Sequence, residues 1–183
     1  MNGDMNDDVK YVLLTEDSIK QRVAELGKAI TEDLKGERPL LICILKGSAV
    51  FFADLIREIN LPLDIDFMRA SSYGSATVSS GKVKVVGALD DVIKDRHVIL
   101  VEDIIDSGRT IAYIKEDMLG KGVKSLRVCS LLDKPERRIA DVSADYVGFV
   151  IPDEFVVGYG LDYAQTYRNL KYIGVLKPEV YGA

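Results

Sequence analysis

Two short apolar runs restrict the fold more than any other feature: LLICIL at Leu40–Leu45 and VILV at Val98–Val101. Neither shows the 3.6-residue spacing of an amphipathic helix, and each is too short to be one. A strand apolar at every position is buried on both faces, as in the middle of a parallel sheet. The segments between such runs follow a helical period instead. From Thr15 to Leu34, Ile19, Val23, Leu26, Ile30 and Leu34 recur three or four residues apart, with Thr15 suited to the N-cap and Gly36 to the C-terminal end. Val50, Phe51, Leu55 and Ile59 mark a second helix, and Ile111, Ile114, Met118 and Leu119 a third that Gly120 and Gly122 stop.

Further strands are expected at LDIDFMRA, KVKVVGAL, SLRVCSLLD, ADYVGFVIP and YIGVLKP. In the first of these, period two puts Leu63, Ile65 and Phe67 on one face and Asp64 and Asp66 on the other. Alternation of strand and helix predicts an α/β fold: an open, mostly parallel twisted sheet with helices on both faces. One domain should span residues 1–183, with residues 1–10 a disordered tail, 69–83 a mobile loop of small polar residues, and the irregular segment Pro152–Asn169 a small lobe at the edge. A chain of 183 residues can bury about 70% of its unfolded surface and needs no disulfide or metal to hold it. Cys43 and Cys129 lie within apolar runs and read as small buried hydrophobes. Without an apolar leader at the N-terminus or a run near 20 apolar residues, a cytoplasmic, membrane-free protein is expected. A net charge of −5 argues against a broad nucleic-acid surface.

In such sheets ligands sit at the carboxyl ends of strands. There the stretch VILVEDIIDSGRT, Val98–Thr110, places Glu102, Asp103 and Asp106 within five residues. Adjacent carboxylates suit Mg²⁺, which takes one or two carboxylates plus substrate oxygens, and they equally suit vicinal sugar hydroxyls. Strand alternation would aim Glu102 and Asp103 to opposite sides unless the chain begins to turn. The DSGRT segment, Asp106–Thr110, then opens a helix. Its small residues let N–H groups converge on an anion, Ser107 and Thr110 add hydroxyls, and Gly108 allows close backbone approach. A phosphate monoester fits. The alternative is that Asp106 or Ser107 merely caps the helix while Glu102 and Asp103 are solvated.

Four apolar residues, two acids, two apolar residues and D-[ST]-G-x-T resemble the signature of the type I phosphoribosyltransferases, which use phosphoribosyl pyrophosphate (PRPP). LKGSAVFFADL, SSYG, LLDKPERR and IPDEFVVGYGLDYAQTYRNL occur in the order found in the hypoxanthine-guanine phosphoribosyltransferases. The resemblance covers all but about the first ten residues. It implies purine salvage: PRPP and a 6-oxopurine base give a purine nucleoside monophosphate and pyrophosphate, with Mg²⁺ as cofactor.

By the same resemblance, Glu102 and Asp103 would meet the ribose hydroxyls and the metal, and Asp106, Ser107, Gly108, Arg109 and Thr110 would hold the 5′-phosphate. Asp106 would also be the catalytic base at purine N7. Lys46 and Gly47 would bind pyrophosphate on a turn with a non-proline cis peptide, Ser72 and Tyr73 would close over it, and Arg168 would pair with it. Lys134 would donate to the purine 6-oxygen, Phe155 would stack on the base, and Val156 would offer backbone groups to its edge. Asp162 would hold a second metal ion and, with Val156, border the purine 2-position. Residues 152–183 would contribute to the purine-binding hood, and the protein would be a homodimer or homotetramer. A PRPP-sensing nucleic-acid-binding regulator on the same fold is the competing possibility, and a receiver-like phosphoacceptor domain fits only loosely. His97 and the ERR at 136–138 carry no role in this scheme; the latter reads as a solvated turn face.

Overall fold

The computed structural model describes residues 4–72, 83–86 and 89–182. Nine strands are described within these bounds: β1 (Val9–Leu14), β2 (Leu40–Leu45), β3 (Asp64–Ser72), β4 (Val83–Val86), β5 (His97–Ile105), β6 (Ser125–Asp133), β7 (Tyr146–Val150), β8 (Val156–Val157) and β9 (Ile173–Leu176). The helices are α1 (Glu16–Asp33), α2 (Ala49–Glu58), α3 (Asp90–Ile93), α4 (Arg109–Leu119) and α5 (Pro178–Tyr181). Six strands form one sheet in the order β4-β3-β2-β5-β6-β7. All neighbours pair in parallel except β4, which runs antiparallel on the edge. This is the open, mostly parallel sheet expected from the strand–helix alternation.

The continuous apolar runs are explained by two cores. Leu41, Cys43, Ile99 and Val101 face Ile19, Val23, Phe51, Phe52 and Leu55 of α1 and α2. Their strand neighbours Leu40, Ile42, Val98 and Leu100 face Ile93, Ile111, Ile114 and Met118 of α3 and α4. Strands β2 and β5 are therefore apolar at every position because helices cover both sides. Thr15 caps α1 as expected, its hydroxyl accepting from Ser18 N at 3.2 Å. Cys43 and Cys129 are buried and unbridged.

The N-terminus departs from expectation. From Asp4 onward it is not a tail: Met5–Asp8 forms a 3-10 turn, and β1 pairs antiparallel with β9 in a second sheet of order β1-β9-β8. The physical reason lies at the other end of the chain. Strand β9 is buried at all four positions and needs a partner for its second edge, which Val9–Leu14 supplies. The small lobe is thus built from both termini. Tyr167 is buried within it and its hydroxyl donates to Asp8 Oδ2 at 2.7 Å, which pushes the phenol up to about 12. Lys177 N donates to Asp8 O at 2.9 Å alongside.

In β3, Ile65 and Phe67 do share a face, yet each is nearly half exposed; Phe67 meets Phe52 edge-on. A double-mutant cycle tests the tie between the termini. Asp8→Ala and Tyr167→Phe should each destabilise by about 1–2 kcal/mol, and together by little more than either alone. Additive losses in urea unfolding would show that the hydroxyl–carboxylate bond does not hold the N-terminal segment.

Candidate active site

Strand β2 pairs with β5 only as far as Cys43 and Val101, whereas β5 continues beside β6 to Ile105 and Asp133. The last residues of β5 therefore have one open edge, and the turn after β2 enters it. The peptide between Leu45 and Lys46 is cis. A Cβ on Gly47 would stand 1.5 Å from Asp103 Oδ2, so glycine alone fits at this approach. Asp103 Oδ1 accepts from Ile104 N at 2.9 Å. Although β5 remains extended through both acids, the Glu102 and Asp103 carboxyl groups lie close enough for each to shift the other. Glu102 Oε2 is buried without a partner. Burial first, and then the Asp103 charge, hold the Glu102 carboxyl well above the usual range. Burial raises Asp103 as well, offset in part by the Glu102 and backbone hydrogen bonds and by the nearby Arg168 guanidinium.

Neither Asp106 nor Ser107 caps α4. The N-cap is Gly108, at φ +78°, and no side chain accepts from the first turn. The donors at this helix end are left without an intrahelical or side-chain partner. Behind the loop, Arg138 Nε donates to Asp106 O at 3.1 Å and Nη2 to Ile105 O at 3.4 Å. The same guanidinium binds Val142 O and Asp133 Oδ1, and Ser107 O accepts from Ile139 N and Ala140 N. Arg138 is consequently no solvated face, as the ERR reading had it. It is mostly buried and ties the loop to the end of β6, because a buried guanidinium must spend its donors on acceptors. A Cβ on Gly108 would strike Val142 Cγ2 and Arg138 Cδ.

Past the end of β6, Lys134 is 6% exposed. Its Nζ donates to Glu154 O at 2.6 Å and lies 3.6 Å from Asp153 Oδ1. Phe155 is 38% exposed and stacks on Tyr181 of α5 at 4.8 Å, with Tyr163 edge-on at 5.7 Å. Val156 is buried in β8 opposite Val175. On the other flank, Arg168 Nη2 meets Asp162 Oδ1 at 2.7 Å and Nη1 donates to Gly160 O at 2.7 Å. Gln165 Oε1 accepts from both Lys46 Nζ and Arg168, and Gln165 N donates to Asp162 Oδ2.

The structure therefore gathers Lys46, Gly47, Asp103, Asp162 and Arg168 on one flank and Asp106, Lys134 and Phe155 on the other. Ser107 and Thr110 are partly exposed and Arg109 is exposed around the start of α4. Ser72 ends β3, while Tyr73 and most of the 69–83 loop lie outside the described residues. Sequence reasoning missed Gln165, Arg138 and the pair Tyr163 and Tyr181. The positive φ of Tyr159, Ala164, Gln165 and Tyr167 belongs to a tightly wound segment with no pattern to announce it. A cavity of about 380 Å³ between α1, α2 and residues 168–171 contains none of the β5 acids and shares only Arg168 with this site.

Because the folded values of Glu102 and Asp103 lie above the unfolded ones, the folded chain holds protons that the unfolded chain has released. Their contribution to stability is thus greatest at acid pH and is lost as pH rises from the unfolded carboxylate value through the folded one. Without divalent ions, Glu102→Gln should stabilise the chain at pH 8, by about 1–3 kcal/mol, and much less at pH 5. Urea unfolding at both pH values checks this; equal effects at the two would contradict the buried-charge account.

Residues 13–164 match the family model of the phosphoribosyl transferase domain. The hypoxanthine-guanine phosphoribosyltransferase of Bacillus subtilis (strain 168) is 51% identical over 177 residues, covering 97% of this chain and 98% of that protein. The bifunctional protein TilS/HprT of Listeria monocytogenes is 48% identical over 180 residues, and there the chain spans only 28% of the relative's length. Among solved structures, a hypoxanthine phosphoribosyltransferase from Staphylococcus aureus superposes with a TM-score of 0.93 at 51% identity, covering 99% of this chain and 98% of that one. With the family model matching over most of the chain and relatives half identical along nearly all of it, the chain belongs to the phosphoribosyltransferase family.

Proposed function

We propose that the chain transfers the 5-phosphoribosyl group of PRPP to N9 of a 6-oxopurine, releasing pyrophosphate and a purine nucleoside monophosphate. The observation that carries this reading is the neighbourhood of three features at adjacent strand ends. These are the acidic pair of β5, the uncapped helix start after Asp106, and the buried Lys134 beyond β6. The half-identical hypoxanthine-guanine relatives support the choice of purine. No observation favours a nucleic-acid-binding regulator in a chain of net charge −5.

In this scheme the free first-turn donors of α4, with Ser107 and Thr110, take the 5′-phosphate. Lys134 donates to the purine 6-oxygen; a 6-amino group would present a donor to this ammonium, so adenine is rejected. Phe155, backed by Tyr181, offers a ring face to the base. Asp106 accepts the proton at N7 as N9 bonds to carbon 1 of the ribose. Lys46 and Arg168 hold the departing pyrophosphate, Arg168 exchanging Asp162 for it. The residues Glu102 and Asp103 fit Mg²⁺, since a buried, unpartnered carboxyl oxygen beside a second carboxylate is relieved by a divalent cation. Such an ion supplies charge neutralisation for the pyrophosphate and the ribose hydroxyls. The half-exposed Ile65 and Phe67 support assembly into a homodimer or larger oligomer. Two unbridged cysteines fit a reducing, cytoplasmic setting.

Incubation with Mg²⁺, PRPP and a single base should yield nucleotide from hypoxanthine or guanine and none from adenine or uracil. Failure of every 6-oxopurine would refute the reading. Asp106→Asn should lower kcat by about 10²–10⁴-fold while PRPP affinity changes little, measured by steady-state kinetics and calorimetry. An equal loss in both would reduce Asp106 to a positioning role.

A further inference from the structure

Asp106 Oδ1 is buried and has no hydrogen-bond partner, yet it is not open. The Nε atom of Arg137 stands 3.2 Å away, close enough for an ion pair but not aligned for a hydrogen bond. The same guanidinium reaches Asp153 Oδ1 at 3.5 Å through Nη1, and Asp153 Oδ1 lies 3.6 Å from Lys134 Nζ. Arg137 thus sits between the carboxylate assigned to purine N7 and the acid that flanks the lysine assigned to the 6-oxygen. These are the two groups that read one edge of the base.

The two consecutive arginines differ sharply. Arg138 spends its donors on three backbone carbonyls and Asp133, and only 17% of its side chain is exposed. Arg137 ends the one-turn helix Pro135–Arg137, is 53% exposed, and is held by the two carboxylates Asp106 and Asp153. One is anchored and the other can exchange partners at small cost, since an exposed ion pair is weak.

Building on the proposed purine reaction, we infer that Arg137 is a positioning residue that shields Asp106 in the ligand-free enzyme and yields it to the purine N7–H by moving onto Asp153. The unaligned contact is what such a role needs. A bidentate pair would hold the carboxylate against the substrate. With no cation there, a buried acceptor would stay uncompensated until the base arrives. Arg137 covers Asp106 Oδ1 without saturating it, and Asp153 waits as the second resting place.

Two substitutions should move the kinetics in opposite directions. Arg137→Gln removes the competitor and should lower the KM for hypoxanthine about two- to fivefold, the equilibrium worth of an exposed pair, with the KM for PRPP unchanged. Asp153→Asn removes the alternative partner and should raise the hypoxanthine KM by a similar factor, and the double variant should behave as Arg137→Gln. Arg137→Lys should restore the wild-type KM. A rise in hypoxanthine KM on Arg137→Gln would make Arg137 a direct substrate contact, and parallel shifts in both KM values and in Tm would make it merely structural; either result overturns the inference. A readout independent of turnover separates this inference from the reaction itself. In ligand-free protein the Arg137 Nε–H NMR resonance should shift on Asp106→Asn, and an unmoved resonance would refute the pairing whether or not the enzyme uses purines.

Discussion

The approach of the turn after β2 to the carboxyl end of β5 is the contact on which the site depends. Strands β2 and β5 are parallel neighbours in register from Leu40 and Val98 to Cys43 and Val101, which sets the turn after β2 beside the last residues of β5. Beyond the last pair they part, and Gly47 and Asp103 face each other with no room for a side chain on the former. Gly160 closes a third side, where a Cβ would fall 2.0 Å from Gly47 O. Three segments distant in sequence thereby meet at backbone range. The burial of Phe51, Phe52 and Leu55 fixes α2, which fixes the turn, and Tyr159 OH donating to Asp54 Oδ2 at 2.6 Å fastens the third segment to the same helix. The hydrophobic core thus sets the spacing of polar groups that it never touches.

What could be read from the sequence follows from whether the determining interaction is local. The β2 and β5 runs, the α1 stripe with its Thr15 cap, and the acids before DSGRT are patterns within a dozen residues. They carried the fold and the centre of the site. The docking of Val9–Leu14 onto β9 was not legible, because its cause is an unpaired strand edge some 160 residues away. The Tyr181 ring behind Phe155 was hidden for the same reason: no periodicity connects a C-terminal turn to an aromatic before β8. The direction of the Ile65 and Phe67 face was likewise open, since alternation identifies a face without saying what covers it.

Arg137 and Arg138 show this limit within two residues. Composition and charge patterning treat ERR as one solvated cluster. The fold separates them by what lies on either side of the turn: carbonyls of the β5 loop and Asp133 behind, carboxylates of Asp106 and Asp153 in front. Backbone acceptors have to be satisfied once buried, so the inward arginine is committed. Carboxylates at a cleft can be shared with a ligand, so the outward one is not.

A strand end with two adjacent carboxyls and one unpartnered buried oxygen is a poor solution for stability alone. An apolar residue in place of Glu102 would remove both the desolvation and the repulsion. The surroundings do little to relieve them, as Arg168, whose charge acts on Asp103, is already engaged by Asp162, Gly160 and Gln165. The unrelieved charge therefore marks the place where the protein is complementary to something it does not itself contain. At Glu102 and Asp103 local chemistry and global fold conflict, and a cation and a hydroxylated ligand would resolve that conflict. Asp106 obeys the same logic three residues on, with a guanidinium that covers its oxygen without completing it.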